Sequence, residues 1–354
     1  MRIGIPTESK MLEGRVALIP AAAAELVRAG HEVFIQAGAG FPSGYTDHDY
    51  AAVGVAVLPD AAALYGAARL IIKVKEPQPG ELELLRKDHV LFCYLHLAAN
   101  LALLRELQRI GLTAMAFETV EEPGGRLPLL APMSDIAGRL AVQTGAHLLQ
   151  RPHGGKGMLL GGLPAAERGH VVVLGAGMAG SNAALMVSAL GARVTVFDHN
   201  RDRLAAVRAL GANVTGLYPY QDAIDGSVRD ADLVIGAVLV TGARTPHLVS
   251  AEVVRNMAPG SVVVDISVDQ GGCIETTRPT TWDAPTFVWE GVIHFGVTNM
   301  PGAVPRSASQ ALSAALIPYA LRLAAGDWET DPVLAAGVNV RGGEVVYPAL
   351  RSLA

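Results

Sequence analysis

The sequence predicts an α/β protein built from two doubly wound parallel sheets, separated by a cleft and linked by two long helices. Three observations carry that reading. Short apolar strands alternate with helical patterns in two separate series, the rhythm of a parallel sheet with crossover helices. A glycine-rich turn opens the second series in strand–turn–helix context. Two long helical stretches flank that series.

Taken in order, Arg2–Ile5 reads as a strand and Pro20–Ala29 as a helix stopped by Gly30. His31–Gln36 is a second strand, Pro59–Ala67 a helix and Leu70–Val74 a third strand. Glu81–Leu85 reads as helical, Val90–Leu95 as a strand, and Leu101–Ile110 as a helix ended by Gly111. A long amphipathic helix is expected from Ser134 to Gln150, with Ser134 and Asp135 placed to cap it. After the glycine-rich stretch His153–Gly162, the strands Val171–Leu174, Arg193–Phe197, Leu233–Gly236 and Ser261–Asp265 form the second series. The second long helix runs from Pro305 to Ala325, with Pro318 inside it as a kink.

The 354 residues suffice for two domains at roughly 100–200 residues each. With 51% apolar and 17% charged residues the chain can bury a large core, which excludes intrinsic disorder. Twenty-eight basic against 33 acidic residues leave a net charge of −5, so no basic excess exists to neutralise nucleic-acid phosphates. The mean hydropathy of +0.33 is high. Every apolar stretch, however, is broken by Gly, Pro or a charge short of the ~18 residues a membrane span needs. Cys93 and Cys273 read as buried small hydrophobes, neither having the spacing of a metal site or a disulfide framework. No metal is expected. The N-terminus lacks the pattern of a secretory signal, so a cytoplasmic location is expected.

The strongest motif is VVVLGAGMAGSNAA, Val171 to Ala184, in which Gly175, Gly177 and Gly180 satisfy G-x-G-x-x-G. The first glycine allows a tight turn, the second lets backbone approach a pyrophosphate, and the third packs helix on strand. A pyrophosphate there meets the unpaired N–H groups of a helix start. Asp198 ends the next strand, where an acid accepts both ribose hydroxyls and repels a 2′-phosphate. That favours NAD, while Arg201 and Arg203 keep NADP open. Residues 131–304 are accordingly expected to be a Rossmann-like NAD-binding domain, and 1–130 plus 305–354 a discontinuous substrate domain.

Hydride chemistry also needs an anchor for an acid substrate and a proton shuttle. Arg15, in EGRVALIP, can grip a carboxylate bidentately. Lys75, in IIKVKEP, follows a buried strand and can hold a carboxylate or carbonyl oxygen, with Lys73 as its competitor. His96, in FCYLHLAAN, titrates near neutrality as a shuttle should. Asp269 lies in a loop after the strand of VVVDISVDQGGCIE, with Asp265 and Glu275 as alternatives.

These segments, with YLHLA, APMSDIAGRLA and GVTNMPGAVP, resemble the family of alanine dehydrogenases and pyridine nucleotide transhydrogenase alpha-subunits over nearly the whole chain. The resemblance implies NAD-dependent, reversible deamination of L-alanine to pyruvate and ammonium, commonly in a homohexamer. It implies that Arg15 and Lys75 bind substrate, that His96 and Asp269 are the acid–base residues, and that Tyr94 and Met133 wall a small pocket. For NAD it implicates Ser134, Met178, Ala179, Asp198, Arg203, Tyr220, Leu239, Ile266, Ser267, Val268, Asp269, Arg278, Val297, Thr298, Asn299 and Met300. The transhydrogenase branch moves hydride between nucleotides and needs no keto-acid site, against which the four polar residues in place argue.

Overall fold

The structure is a computed structural model and describes residues 1–238, 245–326 and 328–353. Its strands are β1 (Arg2–Ile5), β2 (Glu32–Gln36), β3 (Ala56–Leu58), β4 (Leu70–Ile72), β5 (Val90–Cys93), β6 (Thr113–Ala116), β7 (His170–Leu174), β8 (Arg193–Phe197), β9 (Val214–Leu217), β10 (Leu233–Gly236), β11 (Val262–Asp265), β12 (Thr286–Trp289), β13 (Val292–Phe295), β14 (Val338–Arg341) and β15 (Glu344–Val345). The chain divides into two compact units, Met1–Met133 with Gly302–Ala354, and Ser134–Pro301.

The first unit holds an eight-stranded sheet in the order β15-β14-β6-β5-β4-β1-β2-β3. Strands β1 to β6 pair in parallel; β14 and β15 are added antiparallel at one edge. The second unit repeats the plan with β12-β13-β11-β10-β7-β8-β9, antiparallel only at β12. Both sheets are therefore doubly wound and parallel-dominated, with mixed edges. The central strands β4, β7, β10 and β11 are unbroken buried apolar runs, as expected of parallel strands covered on both faces.

In each sheet the winding reverses next to the first strand, between β1 and β4 and between β7 and β10. Open α/β sheets bind ligands outside the carboxyl ends of the strands at such a switch. The segments leaving β1 and β4 carry Arg15 and Lys75, and the segment leaving β7 carries the glycine turn.

The helix expected from Ser134 instead runs Ala131–Leu148, so Ser134 and Asp135 lie inside it and are not its cap. Ala131 N–H donates to Leu127 O at 3.0 Å, and Pro132 sits in the first turn, where a missing N–H costs nothing. Asp135 is used elsewhere: its Oδ1 accepts from Asn182 Nδ2 at 2.8 Å. The helix Pro305–Ala325 runs continuously through Pro318 within the first unit. Its buried Ser309 and Ser313 accept from Val16 N–H and Ile19 N–H, each at 2.9 Å, and so pin the loop that carries Arg15. Cys93 and Cys273 are both buried and free.

Candidate active site

In the first unit, Arg15 is 3% exposed and forked by a carboxylate two residues before it. Its Nε meets Glu13 Oε1 at 2.6 Å and its Nη2 meets Oε2 at 2.5 Å, while Nη1 lies 3.0 Å from Met133 Sδ. Burial alone would weaken the guanidinium's hold on its proton, but the hydrogen bonds and charge of Glu13 more than reverse it. The cation is thereby fixed in plane, with its Nη1 edge facing the methionine.

The structure separates the two candidate lysines. Lys73 is fully buried and consumed in the scaffold: its Nζ donates to Glu8 Oε2 at 3.0 Å and Lys75 O at 2.9 Å, and pairs with Glu81 at 3.4 Å. Lys75 Nζ has no hydrogen-bond acceptor among the described residues. Burial holds Lys75 below the ordinary lysine value; Glu76 opposes this, while Arg15 and Lys10 add to it. Glu8 also accepts from the Val74 and Lys75 N–H groups, at 2.5 and 3.1 Å, which fixes the backbone presenting Lys75.

His96 follows β5 in the left-handed region, φ 48° and ψ 42°, with its side chain 48% exposed. The ring of Tyr94 lies parallel to it, 6° between planes and 5.9 Å between centroids. Tyr94 itself is buried, with its hydroxyl donating to Leu129 O. Arg15, Met133 and Lys75 thus meet within one charged neighbourhood, and Tyr94 joins it through its electrostatic interaction with Arg15.

In the second unit the three glycines do different things. Gly175 has φ +95°, and a Cβ there would lie 2.6 Å from Ala237 O. A Cβ on Gly180 would sit 1.8 Å from Gly175 O, so helix Met178–Leu190 could not start where it does. A Cβ on Gly177 would meet nothing within 4 Å. That open cradle before a helix start, next to the exposed Met178 and half-buried Ala179, has the form a pyrophosphate needs, so the residues present fit a dinucleotide.

Asp198 Oδ2 accepts from Ala176 N–H at 2.7 Å, tying the acid to the glycine turn, and Arg203 approaches it at 3.8 Å. Tyr220 follows β9 and is exposed, its ring 4.8 Å from that of Tyr218. Asp269 is exposed, not in an open loop but in a single 3₁₀ turn, Ile266–Gln270. The alternative, Asp265, is fully buried and structural: it accepts from Ser267, Cys273 and Ile274 N–H groups and from the Thr277 hydroxyl. Glu275 is occupied with Ala251 N–H at 2.7 Å. In the same turn Ser267 Oγ donates to Val238 O at 2.6 Å and Val268 is buried. Arg278 lies over the Phe287 ring at 4.5 Å. Val297 and Met300 are buried after β13, Thr298 N–H meets Thr280 O, and Asn299 adopts φ 58°. Leu239 lies outside the described residues.

Residues 4–137 match the model of the alanine dehydrogenase/PNT N-terminal domain, and residues 141–348 that of the C-terminal domain. The chain belongs to the alanine dehydrogenase/PNT family. Among relatives of this family, it is 49% identical to an alanine dehydrogenase of Mycobacterium tuberculosis over 98% of this chain and 95% of that one. It is 45% identical to an alanine dehydrogenase of Bacillus subtilis over 99% and 94%. A solved L-alanine dehydrogenase superposes with a TM-score of 0.97 at 50% identity, covering 100% of this chain and 99% of that one. A transhydrogenase from Sinorhizobium meliloti gives 0.86 at 28% identity, covering 99% and 100%. Membership in the alanine dehydrogenase/PNT family implies a pyridine nucleotide cofactor.

Sequence reasoning passed over two residues that shape the family's site in this chain. Glu13 was visible beside Arg15, but its fork to the guanidinium was not. Glu118 stands just past the carboxyl end of β6, a strand whose Thr-Ala-Met-Ala sequence carries no strand signal. A carboxylate placed after a recognised parallel strand would have been the clue.

Proposed function

We propose that this chain catalyses the NAD-dependent, reversible oxidative deamination of L-alanine to pyruvate and ammonium. The observation that carries the reading is the buried Glu13–Arg15–Met133 arrangement beside Lys75, in a chain matching alanine dehydrogenases over almost its full length. A fixed guanidinium flanked by an apolar thioether suits a carboxylate on a short side chain. The first unit would serve as the substrate domain and the second as the dinucleotide domain.

Arg15 would take the substrate carboxylate on the Nη1 edge now facing Met133, with Glu13 keeping the guanidinium in plane. Lys75 would hold the carbonyl oxygen of pyruvate through its Nζ. Tyr94 and Met133 close the space around a methyl group and leave no room for a branched chain. When bound, the nicotinamide supplies the acceptor for the hydride leaving Cα of alanine. His96 and Asp269 would exchange the protons of the water that adds to the resulting imine and of the ammonium that departs. Positioning contributes much of the rate, because the reacting groups are held rather than brought together.

The second unit would hold the dinucleotide with its pyrophosphate on residues 175–180 and its adenosine ribose on Asp198. The Asp198 carboxylate is anchored to the turn by Ala176, and it would repel a 2′-phosphate, which favours NAD over NADP. Ser134, Arg203, Tyr220, Leu239, Ile266 to Asp269, Arg278 and Val297 to Met300 complete the proposed cofactor set. No described helix is long and apolar enough to cross a membrane, and we infer a cytoplasmic homohexamer.

Absorbance at 340 nm with NADH, ammonium and a panel of keto acids tests the reading. Turnover on pyruvate, lost when NADPH replaces NADH, supports it. Turnover only on larger keto acids would refute the pocket assignment of Tyr94 and Met133. Tight NADH binding without any keto-acid turnover would favour nucleotide-to-nucleotide transfer, the chemistry named for the Sinorhizobium relative. Sedimentation velocity tests the hexamer.

A further inference from the structure

His96 sits in a backbone conformation that a non-glycine residue adopts only when its surroundings impose it. What imposes it is a carboxylate that follows β6, on the neighbouring strand. Glu118 Oε1 accepts from His96 N–H at 2.6 Å and from Leu95 N–H at 3.2 Å, so one oxygen anchors both residues of the turn. The same oxygen lies 3.9 Å from His96 Nδ1. The Glu118 side chain is only 17% exposed, whereas the imidazole it faces is half open to solvent. On its other side the imidazole stacks on Tyr94, whose buried hydroxyl is tied to Leu129. The ionisable groups facing His96 are therefore Glu118 and Tyr94, with Arg15 within electrostatic reach behind Tyr94.

We propose that Glu118 is the positioning residue for His96, holding its backbone in the left-handed turn while its carboxylate stabilises the imidazolium. The proposal rests on the acid–base role assigned to His96 above and adds the group that makes the role possible. Strain of this kind is stored where a side chain must be presented at one angle, and the rigid strand β6 supplies the anchor. The carboxylate acts on the imidazole through space and touches neither substrate nor cofactor.

Two substitutions separate the two duties. Glu118→Gln keeps a carbonyl oxygen for the Leu95 and His96 N–H groups and removes the charge. At 3.9 Å and near-aqueous screening, losing that charge lowers the His96 titration midpoint by about 0.5–1 pH unit. Glu118→Ala removes the anchor as well, and the turn is free to relax.

The decisive measurement is NMR titration of the His96 ring in the full-length protein, wild type against Glu118→Gln, with His96→Asn to assign the signal. This readout needs no turnover, so it stands whether or not the deamination reading holds. The expected result is a lower midpoint in Glu118→Gln and a parallel shift of the acidic limb of kcat/KM for alanine. Glu118→Ala should lose at least 30-fold in kcat with NADH affinity unchanged, and Glu118→Gln should recover most of that loss. An unshifted His96 midpoint would overturn the electrostatic half of the proposal. An Ala variant with wild-type kcat, or one losing NADH affinity in proportion to kcat, would overturn the positioning half.

Discussion

Gly177→Ala isolates the function of the glycine turn from its folding. The Cβ added there meets nothing within 4 Å, and the residue has φ −69°, so the folded protein has room for it. Two small terms oppose each other. Ala reduces the freedom of the unfolded chain, worth about 0.4–1 kcal/mol in favour of folding. It is also a poorer residue than Gly at a helix start, which costs a similar amount. The ligand-free melting temperature should therefore move by no more than about 3 °C in a chain of this size. The methyl group, however, stands in the cradle where the pyrophosphate must approach the backbone. NADH fluorescence titration should show Kd rising at least tenfold, about 1.4 kcal/mol. Gly180→Ala is the contrast, since its Cβ would sit 1.8 Å from Gly175 O and the ligand-free protein should melt at least 6 °C lower, about 2 kcal/mol. Unaltered NADH affinity in Gly177→Ala would refute the placement of the pyrophosphate.

Three further outcomes follow from the same geometry. Glu13→Gln leaves a buried guanidinium without its counter-charge, and urea unfolding should show a loss of about 3–5 kcal/mol together with a raised KM for alanine. Lys75→Met should abolish turnover while stabilising the ligand-free protein at pH 7, because burial holds the Lys75 pKa below its ordinary value. The cost of keeping that lysine protonated is fully present at low pH and relieved as pH rises through the lowered value. The stability difference between Lys75→Met and wild type, followed by urea unfolding across pH, should therefore shrink toward alkaline pH. Asp198→Ala should raise KM for NADH at least tenfold and narrow the preference over NADPH, measured by initial rates with each coenzyme.

Much of this architecture was legible from residue pattern. The continuous apolar runs of β7, β8, β10 and β11 and the glycine spacing give the second unit almost element by element. Strands built from small or helix-favouring residues were not legible. β6 is Thr-Ala-Met-Ala and β9 contains Gly216; each is a strand because a parallel neighbour pairs with it, which no local propensity encodes. The same limit hid Glu118, whose meaning depends on β6 lying beside β5. The competition between Lys73 and Lys75 could not be settled by spacing either, because Glu8 and Glu81 claim Lys73 from 65 and 8 positions away. The helix from Ala131 began earlier than its polar residues suggested, since the turn at 127–130 and Pro132 start it.

The most direct test of the account follows one hydrogen. L-alanine deuterated at Cα is incubated with NAD and the protein, and the products are examined by NMR and mass spectrometry. The account predicts pyruvate and ammonium in equal amounts, with one deuterium on the reduced nicotinamide for each pyruvate formed. Reduced nicotinamide without deuterium, or pyruvate formed without it, would contradict hydride transfer from Cα and with it the proposed reaction.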